Sequence, residues 1–305
     1  MNANIRTKGG SMRSLQRREE AAGWLFVAPM LIGTTVLTLI PIVATFVLSF
    51  SDWKFIAGIE GLRWVGWDNF KELVDDPKFQ RSLINNFIFL LSVPIYMAIS
   101  LVLAVIINNL AYLKSLFKVI FFMPYISSVV AVAVVWQVLF HPSLGPVNHL
   151  LRLIGIANPP QWIADPDYAL VSLMMISVWI SIGFNMIVYI AGLQAIPRDM
   201  YEAAEIDGAN GWVKFTRITW PLLTPTTFFL LITGIIYSFK VFDLVAVLTK
   251  GGPIQSTTML VWYIYEKAFV NLEIGYASAI ALILFLCLFV ITLLQWIGQN
   301  KWVNY

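Results

Sequence analysis

The chain has 305 residues, of which 59% are hydrophobic and only 12% are charged. A soluble domain carries about twice that charged fraction, so the composition excludes an ordinary soluble protein and predicts an all-α, polytopic membrane protein. The net charge of +3 is small and the basic residues are dispersed, which argues against a nucleic-acid-binding protein. The single cysteine, Cys287, lies in an apolar run and is interpreted as a small buried hydrophobic residue.

The N-terminal segment 1–23 is rich in arginine and lysine, and an apolar run follows it from Trp24. That run is too long for the apolar core of a signal peptide, so it is interpreted as a retained first transmembrane helix. Further stretches without acidic or basic residues are long enough to cross a bilayer, which takes about 20 apolar residues. The sequence therefore predicts six transmembrane helices, at 24–48, 86–108, 118–140, 169–192, 223–247 and 276–297.

An even number of spans places both termini on the same side of the membrane. The basic tail beside the first helix favours a cytoplasmic N-terminus, because Lys and Arg are enriched in cytoplasmic segments. The predicted organisation is a cytoplasmic tail over 1–23, a transmembrane domain over 24–298 and a cytoplasmic tail over 299–305. Three prolines inside the predicted spans remove backbone hydrogen bonds and can kink the helices: Pro41, Pro94 and Pro124.

The segment 197–221, between the fourth and fifth predicted spans, is charged and contains turn residues. Pro197 can start a helix there, and Gly208 can adopt the left-handed conformation that ends one. Residues 212–218 can form a second short helix. The sequence therefore predicts a helix-turn-helix at the cytoplasmic membrane surface, which suits either an ordinary connecting loop or a contact with a soluble partner.

The same segment contains a specific spacing: Glu-Ala-Ala, three residues, Gly, nine residues, Ile, two residues and Pro. It is present as Glu202-Ala203-Ala204, Gly208, Ile218 and Pro221. The spacing resembles the signature loop of permease subunits in binding-protein-dependent ATP-binding-cassette (ABC) importers, although Trp220 stands where that family usually has Leu.

The resemblance extends along nearly the whole chain. It includes GWLFVAPMLIG at 23–33, WDNFKELVDDPKF at 67–79, FFMPYISSVVAVAVVWQVLF at 121–140 and FKVFDLVAVLTKGGPIQSTTMLVWYIYEKAF at 239–269. These stretches resemble the larger permease type of the maltose transporter, without the extra outer domain of that subunit. The chain is also similar to compact six-helix members that serve oligosaccharides, other sugars or glycerol phosphate.

The resemblance implies a type I ABC importer permease fold in a bacterial or archaeal cytoplasmic membrane. It implies partners that comprise a second permease subunit, two copies of an ATPase subunit, an extracytoplasmic solute-binding protein, a sugar substrate and membrane lipid. The implied contact with the ATPase is formed by Glu202, Ala203, Ala204, Asp207 and Gly208. The chain has no G-x-x-x-x-G-K-[ST] phosphate loop, so it is predicted to be no enzyme by itself and to bind no cofactor. ATP and Mg²⁺ would bind to the ATPase subunits.

Polar and aromatic residues in the fourth and fifth spans are costly in a bilayer unless they face a wet cavity or a partner. Aromatic rings suit the faces of a sugar, and amides and hydroxyls suit its hydroxyl groups. The candidate substrate contacts are Ser177, Trp179, Ser181, Asn185, Tyr237 and Ser238. For Asn185, a hydrogen bond to a neighbouring helix is almost as good an interpretation.

Charged residues and histidines elsewhere in the chain are interpreted mainly as structural residues and not as catalytic or metal-binding ones. Lys240 and Asp243 stand three apart and are expected on one helical face, as a structural ion pair or a gate. His141 and His149 have no further ligands nearby, so no metal site is predicted. We expect parts of the outer segments 51–81 and 249–273 to contact the binding protein, with Asp75 and Asp76 as the carboxylates to test.

Two other classes of protein fit the sequence less well than the importer. A self-contained secondary transporter is expected to show inverted repeats and embedded ionisable residues. A membrane-embedded enzyme needs a nucleophile or metal cluster at a membrane face, and none is visible in the sequence. The charged loop at 201–221 has a role only in the importer.

Overall fold

The computed structural model describes residues 9–109 and 112–303 of the chain. The first eight residues of the predicted N-terminal tail and the last two of the predicted C-terminal tail lie outside the described residues. The described chain is helical apart from connecting loops and one short two-stranded ribbon. Its α-helices are α1 (Gly9–Thr34), α2 (Ile40–Leu48), α3 (Asp68–Asp75), α4 (Pro77–Leu90), α5 (Ser92–Asn109), α6 (Lys114–Ile126), α7 (Val129–Leu139), α8 (Pro146–Leu153), α9 (Ala169–Ala195), α10 (Arg198–Ile206), α11 (Gly211–Lys214), α12 (Trp220–Phe239), α13 (Asp243–Leu248), α14 (Leu260–Tyr265) and α15 (Ile274–Gln299).

Five helical stretches in the described part of the chain are long and apolar enough to cross a membrane. A sixth span is formed if α6 and α7, which meet at an angle of 95°, are taken together. The predicted six spans correspond to these stretches in order, with the bent pair as the third. The five stretches are Gln16–Leu48, Pro77–Asn109, Ala169–Ala195, Gly211–Leu248 and Ile274–Gln299.

Each proline expected to kink a span lies close to an interruption of the helix. Pro41 follows the π-helical segment Thr35–Leu39, which separates α1 from α2. Pro94 lies in the first turn of α5, just after the break between α4 and α5. Pro124 lies two residues before the end of α6, where the chain bends into α7. The missing proline amides account for these positions, because each removes a bond to the preceding turn.

The core of the fold is built around α9. α5 packs along α9, and the Ser100 hydroxyl on α5 donates to the carbonyl of Ile182 on α9 at 3.0 Å. α6 crosses α9 at Gly183, where an added Cβ would lie 2.0 Å from the carbonyl oxygen of Phe121. Only a residue without a side chain permits this approach, as is common between membrane helices.

A short two-stranded ribbon follows the first span. Its strands are β1 (Ser51–Asp52) and β2 (Arg63–Trp64), which pair antiparallel with Ser51 opposite Trp64. The Asn69 amide on α3 donates to the carbonyls of Ser49 and Ser51 at 2.8 and 2.9 Å, so α3 is fixed to the end of the first span. Both β1 and α3 pack against α15, near the point where the Gly275 amide donates to the Trp53 carbonyl at 3.1 Å.

Candidate functional site

The loop between α9 and α12 folds as a short helix that ends in a left-handed turn. α10 begins directly after Pro197. Gly208 has a φ of +76°, its amide donates to the Glu205 carbonyl at 3.0 Å, and the next amide donates to the Ala204 carbonyl at 2.8 Å. This pair of bonds is a Schellman motif and ends α10 as the sequence predicted. After the turn, the side chain of Asn210 accepts from the amide three residues on, at 2.9 Å, and caps α11.

Two side-chain contacts fasten α10 to the helical run that follows. The Lys214 ammonium lies 2.7 Å from the Glu205 carboxylate, and the Tyr201 and Thr219 hydroxyls lie 2.9 Å apart. The predicted helical segment 212–218 is present, but it is not a separate element. α11 continues through a π-helical segment directly into α12. Side chains therefore tie α10 to the helical run that forms the next membrane span.

The five predicted coupling residues are unequally exposed. Glu202, Ala203, Asp207 and Gly208 are exposed, whereas Ala204 is half-buried against the chain itself. The first four are available to a partner, and Ala204 supports the close packing of α10 on its own subunit. Their role in coupling remains a prediction.

Sequence reasoning missed the two most exposed large apolar residues of this loop. Ile206 is 88% exposed at the end of α10, and Trp212 is 73% exposed at the start of α11. The Trp212 ring stacks on Phe215 at a centroid distance of 6.1 Å. The available signal was an apolar residue in a charged loop, outside every predicted span. These two side chains are therefore candidates for a contact with another protein.

Four of the six candidate substrate residues face the interior of the chain. Ser177, Ser181 and Asn185 are buried on one side of α9, and the Asn185 amide donates to the Ser181 carbonyl at 2.8 Å. Ser238 is buried on α12, where its hydroxyl donates to the Ile235 carbonyl at 2.8 Å. The side chains of Asn185 and Ser238 thus donate hydrogen bonds to the backbones of their own helices.

The two aromatic candidates are open. Trp179 on α9 is 42% exposed, and Tyr237 on α12 is 45% exposed. The Trp179 ring meets Trp136 of α7 edge-on at a centroid distance of 5.6 Å, so the site includes a residue from the third span. Exposed aromatic side chains on two spans suit a wet cavity or a facing subunit.

The structure corrects the expected geometry of Lys240 and Asp243. α12 ends at Phe239 and α13 begins at Asp243, so the two residues do not lie on one helical face. No ion pair joins them among the salt bridges of the described residues. Both side chains are exposed at the break, where water can solvate them.

Away from the loop between α9 and α12, Asp76 joins three helices. Its carboxylate caps α4 by accepting from the amides of Lys78 and Phe79, at 2.8 and 3.3 Å. It also accepts from the hydroxyls of Tyr263 on α14 and Tyr276 on α15. Burial raises the pKa of the Asp76 carboxyl, but these hydrogen bonds outweigh it and hold the pKa below its ordinary value of 3.8.

Asp75 and Asp76 therefore differ in what their substitution would test. Asp75 is exposed at the end of α3, whereas Asp76 is engaged inside the chain. Nearby, the Lys267 ammonium lies 2.7 Å from the Glu273 carboxylate and 4.6 Å from the centre of the Tyr276 ring. Reversing the charge of Asp76 would disturb this packing, so only Asp75 reports on a surface contact.

The described residues contain no group of three or more side chains that could hold a metal ion. His141 Nδ1 accepts from the Leu144 amide at 3.1 Å and so closes the turn after α7. His149 lies on α8, a separate short helix.

Taken together, these features define a class of protein: a multi-span membrane protein with a rigid helical loop at one face and an open aromatic surface between its spans. Residues 77–302 match the family described as "Binding-protein-dependent transport system inner membrane component". This match covers most of the chain, and the chain belongs to that family.

Individual relatives agree with the family. The chain is 37% identical to the lactose transport system permease protein LacF of Rhizobium radiobacter, over 95% of this chain and 98% of that protein. It is 32% identical to the sn-glycerol-3-phosphate transport system permease protein UgpA of Agrobacterium fabrum, over 96% of this chain and 100% of that protein. Among solved structures, it matches a chain of a bacterial alginate ABC transporter in complex with an alginate pentasaccharide-bound periplasmic protein. The TM-score is 0.80 at 25% identity, over 91% of this chain and 93% of that chain.

The family confirms the predicted resemblance, the helical permease fold and the inner-membrane location. The chain is a permease subunit and no enzyme, since ATP hydrolysis in such importers belongs to a separate subunit. Which side of the membrane holds the termini stays a prediction, as do the domain boundaries and the roles of individual residues.

Proposed function

We propose that this chain forms one half of the translocation pore of an ABC importer for a sugar, an oligosaccharide or glycerol phosphate. It works with a second homologous permease subunit, two copies of an ATPase subunit that bind ATP and Mg²⁺, and an extracytoplasmic solute-binding protein. The lactose and glycerol-3-phosphate systems of the relatives support this substrate range, as does the periplasmic protein of the alginate importer.

The observation that carries the proposal is the surface of α10. Its exposed face offers the carboxylate of Glu202, the small side chain of Ala203 and the apolar side chain of Ile206. Full burial of an isoleucine side chain contributes roughly 1.5–3 kcal/mol. A cleft on a soluble ATPase subunit would gain that contribution from Ile206, and Glu202 would set the orientation.

The contacts of α10 explain how such docking reaches the pore. Tyr201–Thr219 and Glu205–Lys214 hold α10 against the run that continues into α12. Near the far end of α12 lies the open side chain of Tyr237. A movement of the ATPase subunits would shift α10 and α12 together and so alter the surface that the substrate meets.

The proposed orientation follows from the same contact. ATPase subunits are cytoplasmic, so α10 and both termini lie in the cytoplasm, as an even number of spans requires. The two-stranded ribbon, Asp76 with Tyr263 and Tyr276 (the Asp76 cluster), and the segment 249–273 then lie outside, where the binding protein docks. Polar groups of the segment 249–273 are fastened to α4 and its cap: the Asn85 amide donates to the Thr258 carbonyl at 2.9 Å, and the Tyr263 hydroxyl donates to the Asp76 carboxylate. These bonds give the binding protein a defined surface.

The proposal is tested by purifying the tagged chain from native membranes, with matched charge reversals. The wild-type chain is expected to bring a second permease and an ATPase. Glu202→Lys should lose the ATPase but keep the second permease. Asp167→Lys, an exposed reversal on the opposite face, should keep both. A chain that purifies alone and moves solute without ATP would refute the proposal and indicate a secondary transporter.

A further inference from the structure

A cavity of about 710 Å³ lies between the loop helix α10 and the ends of the spans beside it. Its walls come from the end of α5, the start of α6, the end of α9, and both α10 and α11. It therefore lies at the level of the membrane surface, behind the face of α10 that is proposed to meet the ATPase. The proposed function does not use this cavity.

The loop side of the cavity is basic. Lys114, Arg198 and Lys214 line it, against the single carboxylate of Glu205. Glu205 is already paired with Lys214 at 2.7 Å. Neither Lys114 nor Arg198 has a carboxylate within ion-pair distance in the described part of the chain. The Lys114 ammonium donates to the Asn108 carbonyl at 2.8 Å, which directs it to the end of α5.

The span side of the cavity is partly apolar, although the amides of Asn108, Asn109 and Gln194 also line it. Val105 of α5 and Leu193 of α9 line it, and both belong to membrane-spanning stretches. An occupant that matches both sides is amphiphilic, with an anionic group near Lys114 and Arg198 and an apolar part toward the bilayer. A free inorganic anion would match only the basic side.

We propose that this cavity binds the phosphate headgroup of an anionic membrane phospholipid, and that the bound lipid holds α10 in the position that meets the ATPase. Basic pockets at the cytoplasmic ends of transmembrane helices bind acidic headgroups. Arg198 and Tyr201 bring the first turn of α10 to the cavity, so a headgroup there contacts the loop helix and the spans at once. The inference rests on the proposed function and its orientation.

The test uses the assembled importer in nanodiscs of phosphatidylcholine with a minor fraction of phosphatidylglycerol. Native mass spectrometry measures the lipids that stay bound to the permease after release from the disc. The variants are Lys114→Gln and Arg198→Gln, singly and together. Lys118→Gln is the matched control, because it removes the same charge one turn along α6, outside the cavity. A parallel sample in pure phosphatidylcholine receives inorganic phosphate.

The wild type and Lys118→Gln should retain phosphatidylglycerol selectively. Each cavity variant should lower that enrichment about fivefold, and the double variant by more. Equal enrichment of phosphatidylglycerol in all variants would overturn the lipid site but not the proposed function. The absence of any enrichment in an assembled, ATP-hydrolysing importer would do the same, and this second result is expected if the ATPase fills the cavity. Retention of inorganic phosphate without lipid would overturn the lipid assignment and identify a free anion as the ligand. A wild-type chain that brings no ATPase would overturn both proposals.

Discussion

Gly208 is the position where a single methyl group tests the loop geometry. Its φ of +76° is unfavourable for a residue with a side chain, by about 1–2 kcal/mol. A Cβ added there would meet nothing within 4 Å, so steric overlap adds no further cost. Gly208→Ala should therefore reduce the population of the docking-competent loop by up to about 5- to 30-fold, without loss of the membrane fold.

The assay is the affinity of the detergent-purified permease pair for its ATPase, measured alongside the thermal unfolding of the permease. Gly208→Ala should weaken ATPase binding while the unfolding temperature stays close to that of the wild type. Gly208→Asn should lie between the two, because asparagine tolerates the left-handed conformation better than alanine does.

Gly211→Ala is the matched control. Gly211 begins α11, lies in open space and has no positive φ, so alanine there should be neutral or slightly stabilising. Wild-type ATPase affinity in Gly208→Ala would refute the reasoning. Equal impairment by Gly211→Ala would refute it as well, since the effect would then follow from any added methyl group in the turn.

Further predictions concern the loop, the pore and the outer cluster. Ile206→Ser should weaken ATPase binding roughly tenfold or more without changing thermal stability, whereas Ile56→Ser, equally exposed on the outer side, should not. Tyr237→Ala should raise the half-saturating substrate concentration in proteoliposome transport by up to about tenfold, whereas Ser238→Ala, buried on its own helix, should have little effect. Asp76→Ala should cost about 3–5 kcal/mol in unfolding measurements, and Asp75→Ala less than about 0.5 kcal/mol, because only Asp76 accepts bonds from two tyrosines and two amides. The folded pKa of Asp76 lies below 3.8, so its stabilisation is complete above that value and is lost as the pH falls through the folded pKa. The difference between the wild type and Asp76→Ala should therefore stay constant between about pH 5 and pH 8.

The features that local sequence determines were predictable. A span needs only a long apolar run, a helix end needs a glycine such as Gly208, and a kink needs a proline such as Pro124. The family followed from the spacing of a few residues in one loop. Each of these signals lies within a few residues of the structure that it specifies.

The features that depend on which helices meet were not predictable. The pattern of α9 shows no dominant polar face, so nothing local separates buried Ser181 from open Trp179. The predicted ion pair between Lys240 and Asp243 required an unbroken helix through both residues. The helix breaks after Phe239, so the two side chains do not lie on one helical face. The role of Asp76 depends on tyrosines that are nearly 200 residues away in sequence, and its neighbour Asp75 has the same side chain.

The 95° bend between α6 and α7 implies where water enters the membrane domain. At Ser127 and Ser128 the regular ladder of backbone bonds stops, and the Ser127 hydroxyl and amide both turn back to the Met123 carbonyl. Backbone that leaves a helix at membrane depth is stable only where it is covered by protein or lines an aqueous cavity. We predict that this bend lines an aqueous cavity in the assembled half-pore, and that its amides exchange hydrogen for deuterium faster than those of the unbroken spans. Hydrogen–deuterium exchange of the amides at this bend should therefore report how much water reaches it. The exchange rate should rise when the pore opens and fall when it closes.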